Sequence, residues 1–324
     1  MSRNDLKLSV ACGDHALTQP IQTGEVSPER IDWEVSTIFA PKRHWRMLRG
    51  KEFDVCELSL GSYLASRSAQ EDYPFTAIPV FPHRSFRHSN MFKHSGAGVS
   101  TPDDLEGKKV GLNTWQTTAG IWMRGIAKEK YGLDLEDVTW YRRAPEDVPL
   151  GSLERFDIRD IPENKDLEEM LCKGQLKGAF YPALFDSVIE GKCCERLFEN
   201  PFEEELNYYE ETGIFPLMHT VVIRNEILEE APWAAGNIYK AFKRSKDLGL
   251  KRLEDPRTSA LVWARKYLEE EKSIFSENPW SYGLTEWNLK ALDTLLKYCL
   301  DQELIPYKYK PEELFVKSLL GKSQ

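Results

Sequence analysis

With 324 residues the chain exceeds the usual size of a single core, so two domains of ordinary size are expected. A content of 41% hydrophobic and 29% charged residues, with nine Trp and thirteen Tyr, is globular and excludes a disordered or fibrous chain. The net charge of -9 argues against general nucleic-acid or anionic-membrane binding, which needs a basic surface; an anion would have to be held locally.

Residues 1–10 contain no apolar run of signal-peptide length, and no later stretch approaches the roughly 20 apolar residues of a membrane span, so a cytoplasmic protein is expected. Short apolar strands alternate with helical segments through the first hundred residues, the pattern of a parallel or mixed sheet covered by helices. LKLSVAC (6–12) and IDWEVSTI (31–38) read as strands, and PKRHWRMLRGKEF has the helical spacing of Trp45, Leu48 and Phe53. DVCEL is a short strand, SLGSYLASRSA a helix opened by Ser59, and FTAIPVF (75–81) a further strand.

A second unit begins at TPDDLEGKKVGLN, where Pro102 follows an N-cap Thr101 and Gly107 closes a short helix before a strand. The strand runs into the long helix of TWQTTAGIWMRGIAKEKYGL, and VTWY (138–141) completes a βαβ unit. Residues 144–164, rich in Pro, Asp and Glu, read as an exposed excursion, followed by helix, turn and buried strand in DLEEMLCKGQLKGAFYPAL. HTVVIRNEIL (219–228) is a strand with Val221 and Ile223 on one face, and the chain is helical from Pro232 onward. These elements give an α/β protein of two α/β domains with a hinge and an interdomain cleft. Residues 1–98 with 223–324 form the first domain and 99–222 an inserted second one. Such clefts hold small ligands where strands end and helices begin. The six cysteines, Cys12, Cys56, Cys172, Cys193, Cys194 and Cys299, show no CxxC pair and no zinc spacing, so reduced, mostly buried thiols are expected.

The densest polar cluster is PHRSFRHS (82–89), directly after an apolar strand. Arg84 or Arg87 can grip a carboxylate, and His83 or His88 can act as acid or base near neutral pH; a solvated basic turn is the alternative. In NTWQTTAG (113–120), Thr117 and Thr118 open a helix whose free NH groups suit an anion, an ordinary N-cap by either being the alternative, and Trp115 either stacks on an aromatic ligand or belongs to the core. His219 starts the returning strand near the hinge, and Glu57, Ser59, Ser62, Asp14 and His15 face the same cleft rim. A divalent metal on His83, His88 and Glu57 matches no strong ligand signature, and there is no Walker loop, GxGxxG or GxSxG, so no cofactor and no metal are expected.

The stretches LSVACGDH, HWRMLRGKEFDVCELSLGSYLA, AIPVFPHRSFRHS, TPDDLEGKKVGLNTWQTTAGIWMRGI and YYEETGIFPLMHTVVI resemble the 4,5-dihydroxyphthalate decarboxylase family, whose fold is similar to type 2 periplasmic binding proteins. The resemblance spans nearly the whole chain; TPDDLEGKKVG marks only the fold, whereas FPHRSFRHS and TGIFPLMHTVVI are more specific. It implies cofactor-independent loss of one carboxylate from 4,5-dihydroxyphthalate, giving protocatechuate. On this reading Arg84, Arg87, Ser59, Trp115, Thr117 and Thr118 hold the small aromatic carboxylate, and His83, His88 and His219 are acid and base in undecided order. The alternatives are a non-enzymatic solute-binding protein for a small anion and a decarboxylase of another hydroxylated aromatic acid. The apolar C-terminal helices make a homo-oligomer an expectation.

Overall fold

The computed structural model describes residues 6–69, 74–275 and 278–321. The chain opens with strand β1 (Leu6–Cys12), helix α1 (Gln19–Gln22), β2 (Ile31–Thr37), α2 (Ala40–Gly50), β3 (Val55–Ser59), α3 (Leu60–Ala69) and β4 (Phe75–Ile78). It crosses to a second unit with β5 (Met91–His94), β6 (Lys109–Leu112), α4 (Thr118–Tyr131), β7 (Thr139–Arg142) and β8 (Asp157–Asp160). That unit continues through α5 (Leu167–Cys172), β9 (Gly178–Phe180), α6 (Asp186–Ile189), β10 (Cys194–Arg196) and α7 (Pro201–Thr212). The return strand β11 (His219–Arg224) is followed by helices α8 (Asn225–Glu230), α9 (Ala234–Leu253), α10 (Ala264–Ile274) and α11 (Glu286–Asp301).

Two sheets result. The first has the order β2-β1-β3-β11-β4, the second β10-β5-β9-β6-β7-β8. In the first, β1 runs parallel to β2 and β3, and β11 is inserted antiparallel between β3 and β4. Every residue of β3 is buried, as expected of a central strand covered on both faces. For the same reason Thr220 to Ile223 are all buried, so Val221 and Ile223 do not define a single apolar face.

Three expectations shift. The second sheet opens at Met91, before the boundary placed at 98/99, and the first sheet takes the chain back at His219, before 223. Residues 144–164 are not a plain excursion: they carry β8, which pairs with β7, and they bury Val148 and Phe156. The end of α5 meets the start of β10, so that Cys172 and Cys193 form a disulfide where reduced thiols were expected. Among the described residues no helix is long and apolar enough to cross a membrane.

Candidate active site

The carboxyl ends of β1 and β3 lie side by side, because the two strands are parallel and in register from Val10 with Val55. That edge of an α/β sheet is where ligand sites form. Glu57 of β3 is its centre: it is 1% exposed, yet its carboxylate is fully engaged. The Gly13 amide, just past β1, donates to Oε2 at 2.7 Å. Arg43 of α2 is 3.0 Å from Oε1 and donates from Nε to the Glu57 carbonyl at 2.7 Å. His219 Nδ1 lies 2.6 Å from Oε1, and His15 Nε2 lies 3.4 Å from Oε2. His219 reaches Glu57 because β11 places it opposite Ser59, one step along the same face of the antiparallel pair.

Two more imidazoles close the cluster. The His83 ring centroid is 4.8 Å from that of His219, and the His44 centroid is 5.0 Å from it on another side. Backbone bonds fix the first contact: the amides of Met218 and His219 both donate to the His83 carbonyl. Four of the six histidines therefore surround one buried carboxylate.

Burial alone would raise the Glu57 carboxyl, but the Arg43 guanidinium and the hydrogen bonds from His15 and His219 outweigh it and hold the group well below the usual range. Glu57 is thus an anion that only accepts, so His219 carries its proton on Nδ1 and keeps a lone pair on Nε2. Burial lowers His219 against the pull of Glu57. Burial, with His219 beside both, lowers His44 and His83 well below the ordinary imidazole value. At neutral pH the three are uncharged bases.

His15 and His83 face a cavity of about 540 Å³, a size suited to a small ligand. Its far wall is apolar, built from Leu250 and Leu253 of α9, Leu268 of α10, and Phe275 and Trp280 beyond it. On the same wall Lys272 is paired with Glu254 at 2.9 Å, and Glu271 adds a second carboxyl.

Of the residues singled out in the sequence, His83 and His219 come together with Glu57 and His15. His88 does not: it is fully buried among Tyr131, Phe198 and Tyr208, and neither ring nitrogen has a hydrogen-bond partner. The trio His83, His88 and Glu57 consequently does not converge on a metal. Arg84 turns inward, donating to Asn288 and to the Ser281 carbonyl and lying over the Trp287 ring, which ties the start of α11 to the crossing segment. Arg87 is spent on Met218, Asn90 and the Pro182 carbonyl. Trp115 is core, with its indole NH donating to the Gln302 carbonyl and Arg124 stacked 3.8 Å above it.

Ser59, Thr117 and Thr118 belong to the seam between the units. Thr118 Oγ1 is 2.8 Å from Ser59 Oγ and accepts from the Gly61 amide at 2.8 Å, while Thr117 stands at the N-cap position of α4 without a capping bond, its hydroxyl meeting that of Thr114. Arg43 and His44 were not identified in the sequence. The available signal was their place in α2, one turn before the buried Met47 and Leu48, which puts a charge and an imidazole on the helix's inward face.

No protein-family model matches the chain. Two α/β units crossed twice by the chain, with a ligand-sized cavity, define a fold of the periplasmic-binding-protein class. The structure superposes on the periplasmic aliphatic sulphonate binding protein SsuA from Escherichia coli with a TM-score of 0.55 and 12% identity, over 98% of this chain and 99% of that one. In sequence it is 32% identical over 322 residues to 4,5-dihydroxyphthalate decarboxylase from Comamonas testosteroni, covering 96% of each chain. It is 34% identical over 188 residues to the protein of the same name from Pseudomonas putida, covering 55% of this chain and 71% of that one. The chain belongs to the 4,5-dihydroxyphthalate decarboxylase family, whose reaction is that of a carboxy-lyase.

Proposed function

We propose that this protein decarboxylates a hydroxylated aromatic dicarboxylic acid, 4,5-dihydroxyphthalate being the first substrate to test, without an organic cofactor. The observation that carries the reading is the buried Glu57–His219 pair backing His83 at one end of an apolar cavity. The activity for which the relatives are named supplies the substrate class.

The reaction needs one base, one acid and a grip on the second carboxylate. A hydroxyl para to the departing group pushes electrons into the ring as a base removes its proton. An acid then protonates the ipso carbon, the C–C bond breaks, and carbon dioxide leaves; the net change is one proton taken up for each carboxylate lost. His15 and His83, which face the cavity, exchange these protons with the substrate. His219, fixed in one tautomer by Glu57, sits behind His83 and keeps it a neutral base. The apolar wall takes the ring, and Lys272 takes the retained carboxylate by exchanging it for its present partner Glu254. This assigns the grip to Lys272 in place of Arg84 and Arg87, which are buried and do not line the cavity.

The test is incubation of purified protein with 4,5-dihydroxyphthalate, with and without a chelator, following 3,4-dihydroxybenzoate and carbon dioxide. Product in both arms is the expected result. Product lost with chelator would place a metal in the reaction. Binding without product would favour a solute-binding role, and neither binding nor product would rule out this substrate.

A further inference from the structure

A second cluster of reactive side chains lies in the other sheet. Cys172 ends α5, Cys194 begins β10 and Cys193 immediately precedes it, and their three sulfurs lie within 4.8 Å of one another. Among the described residues they are the one group of three or more His, Cys, Asp or Glu ligands close enough to share an ion. Cys172 is joined to Cys193 by the disulfide, and its sulfur is also 3.4 Å from that of Cys194. Nothing in the proposed decarboxylation uses them.

We propose that, once this disulfide is reduced, Cys172, Cys193 and Cys194 form a thiolate site for one soft d10 metal ion such as Zn²⁺ or Cd²⁺.

The geometry is close to what such an ion requires. Zn–S bonds of about 2.3 Å in a tetrahedral or trigonal arrangement set the sulfurs about 3.8–4.0 Å apart. The Cys172–Cys194 separation of 3.4 Å is about half an ångström short of that spacing, and the bonded Cys172 and Cys193 sulfurs must part once reduced. Both supporting elements are anchored independently of the disulfide. The Asp166 side chain caps α5 by accepting from the amides of Glu168 and Glu169, and Leu167 and Leu171 bury the helix. β10 is paired to β5, Cys194 opposite His94 and Glu195 opposite Lys93. His94 is therefore the cross-strand neighbour of Cys194 on the same face, and its buried Nδ1 has no hydrogen-bond partner. The His94 ring nitrogens stand outside the group of ligand atoms that lie within 4.8 Å of one another, so the protein supplies three sulfurs and a fourth position is left to water. Cys172 and Cys193 are partly exposed, so an ion has access, whereas Cys12, Cys56 and Cys299 are each fully buried.

The steps balance with a small thiol as reductant. Two equivalents of thiol deliver two electrons and two protons to the Cys172–Cys193 bond and leave as their own disulfide. The metal then displaces the protons of the three thiols.

The test uses the full chain, reduced with a phosphine, freed of reductant without oxygen and titrated with Cd²⁺ while thiolate-to-metal charge transfer is followed in the ultraviolet. One Cd²⁺ per chain is expected, with none taken up by the oxidised protein. Cys194→Ser should weaken uptake by more than about 100-fold, beyond what loss of an outer-shell partner does, while Cys299→Ser leaves it unchanged. Alkylation of the wild type, mapped by mass spectrometry, guards against a variant that misfolds: bound Cd²⁺ should protect Cys172, Cys193 and Cys194 together. Absence of charge transfer in the reduced wild type, or alkylation of these three at the same rate with and without Cd²⁺, would overturn the proposal.

Discussion

The parts proposed for His83 and His219 can be read by substitution. His83→Ala and His219→Ala should each lower kcat by about 10²–10⁴-fold, the usual worth of a positioned acid or base, with circular dichroism unchanged. The acid limb of the rate profile should fall below the ordinary imidazole value of 6.5, because burial lowers both His83 and His219. Glu57 raises His219, so in Glu57→Gln that limb should move further toward acid if His219 sets it. Arg43→Met leaves Glu57 buried without its cation and should cost about 3–5 kcal/mol in denaturant unfolding. The sequence pointed to His83 and His219 because both stand at strand ends, and it overread their neighbours for a physical reason. Arg84 bridges Leu217 as extended backbone, and in extended backbone successive side chains point to opposite sides. A run such as PHRSFRHS therefore cannot deliver all its polar groups to one cavity: His83 faces it, Arg84 faces the α11 start, and His88 ends among aromatic rings.

At the scale of elements, α4 joins the units by packing against α11 and by a close approach to α3. A Cβ at Gly61 would lie 2.5 Å from Ile121 Cδ1 and 2.6 Å from the Gln116 carbonyl oxygen. Gly61→Ala should therefore destabilise the protein by about 1–3 kcal/mol through overpacking, measured by urea unfolding. The elements themselves were legible where local pattern suffices. β1 matches its reading residue for residue, and α2, α3, α4 and α9 fall where apolar spacing and caps place them. The short strands β5, β8 and β10, of three or four residues each, carry too little pattern; they are strands because of partners distant in the chain. The seam hydroxyls Ser59 and Thr118 were read as ligand groups because a helix start that binds an anion and one that docks a neighbouring unit look alike in sequence.

For the molecule as a whole, stability is linked to pH through Asp147, whose carboxylate lies 3.3 Å from the Ser62 hydroxyl across the seam. Burial raises its pKa from 3.8 to about 6, so the folded state favours the protonated form. Its stabilising contribution is complete below 3.8 and is lost as pH rises through about 6. The urea midpoint should fall across that window, and Asp147→Asn should flatten that part of the slope.

The placement of β11 also dictates the order in which this protein can come into being. The strand that lies between β3 and β4 is made only after the entire second unit, and Glu57 is separated from His219 by 162 residues of chain. A growing chain can form β1, β2 and β3 early, but β3 and β4 keep unpaired edges facing one another until the return strand arrives. Collapse of either unit leaves the Glu57–His219 pair unmade; it is completed only when a loop of 162 residues closes. During refolding from urea, turnover should therefore appear later than secondary structure, in step with protection of the β11 amides from hydrogen exchange.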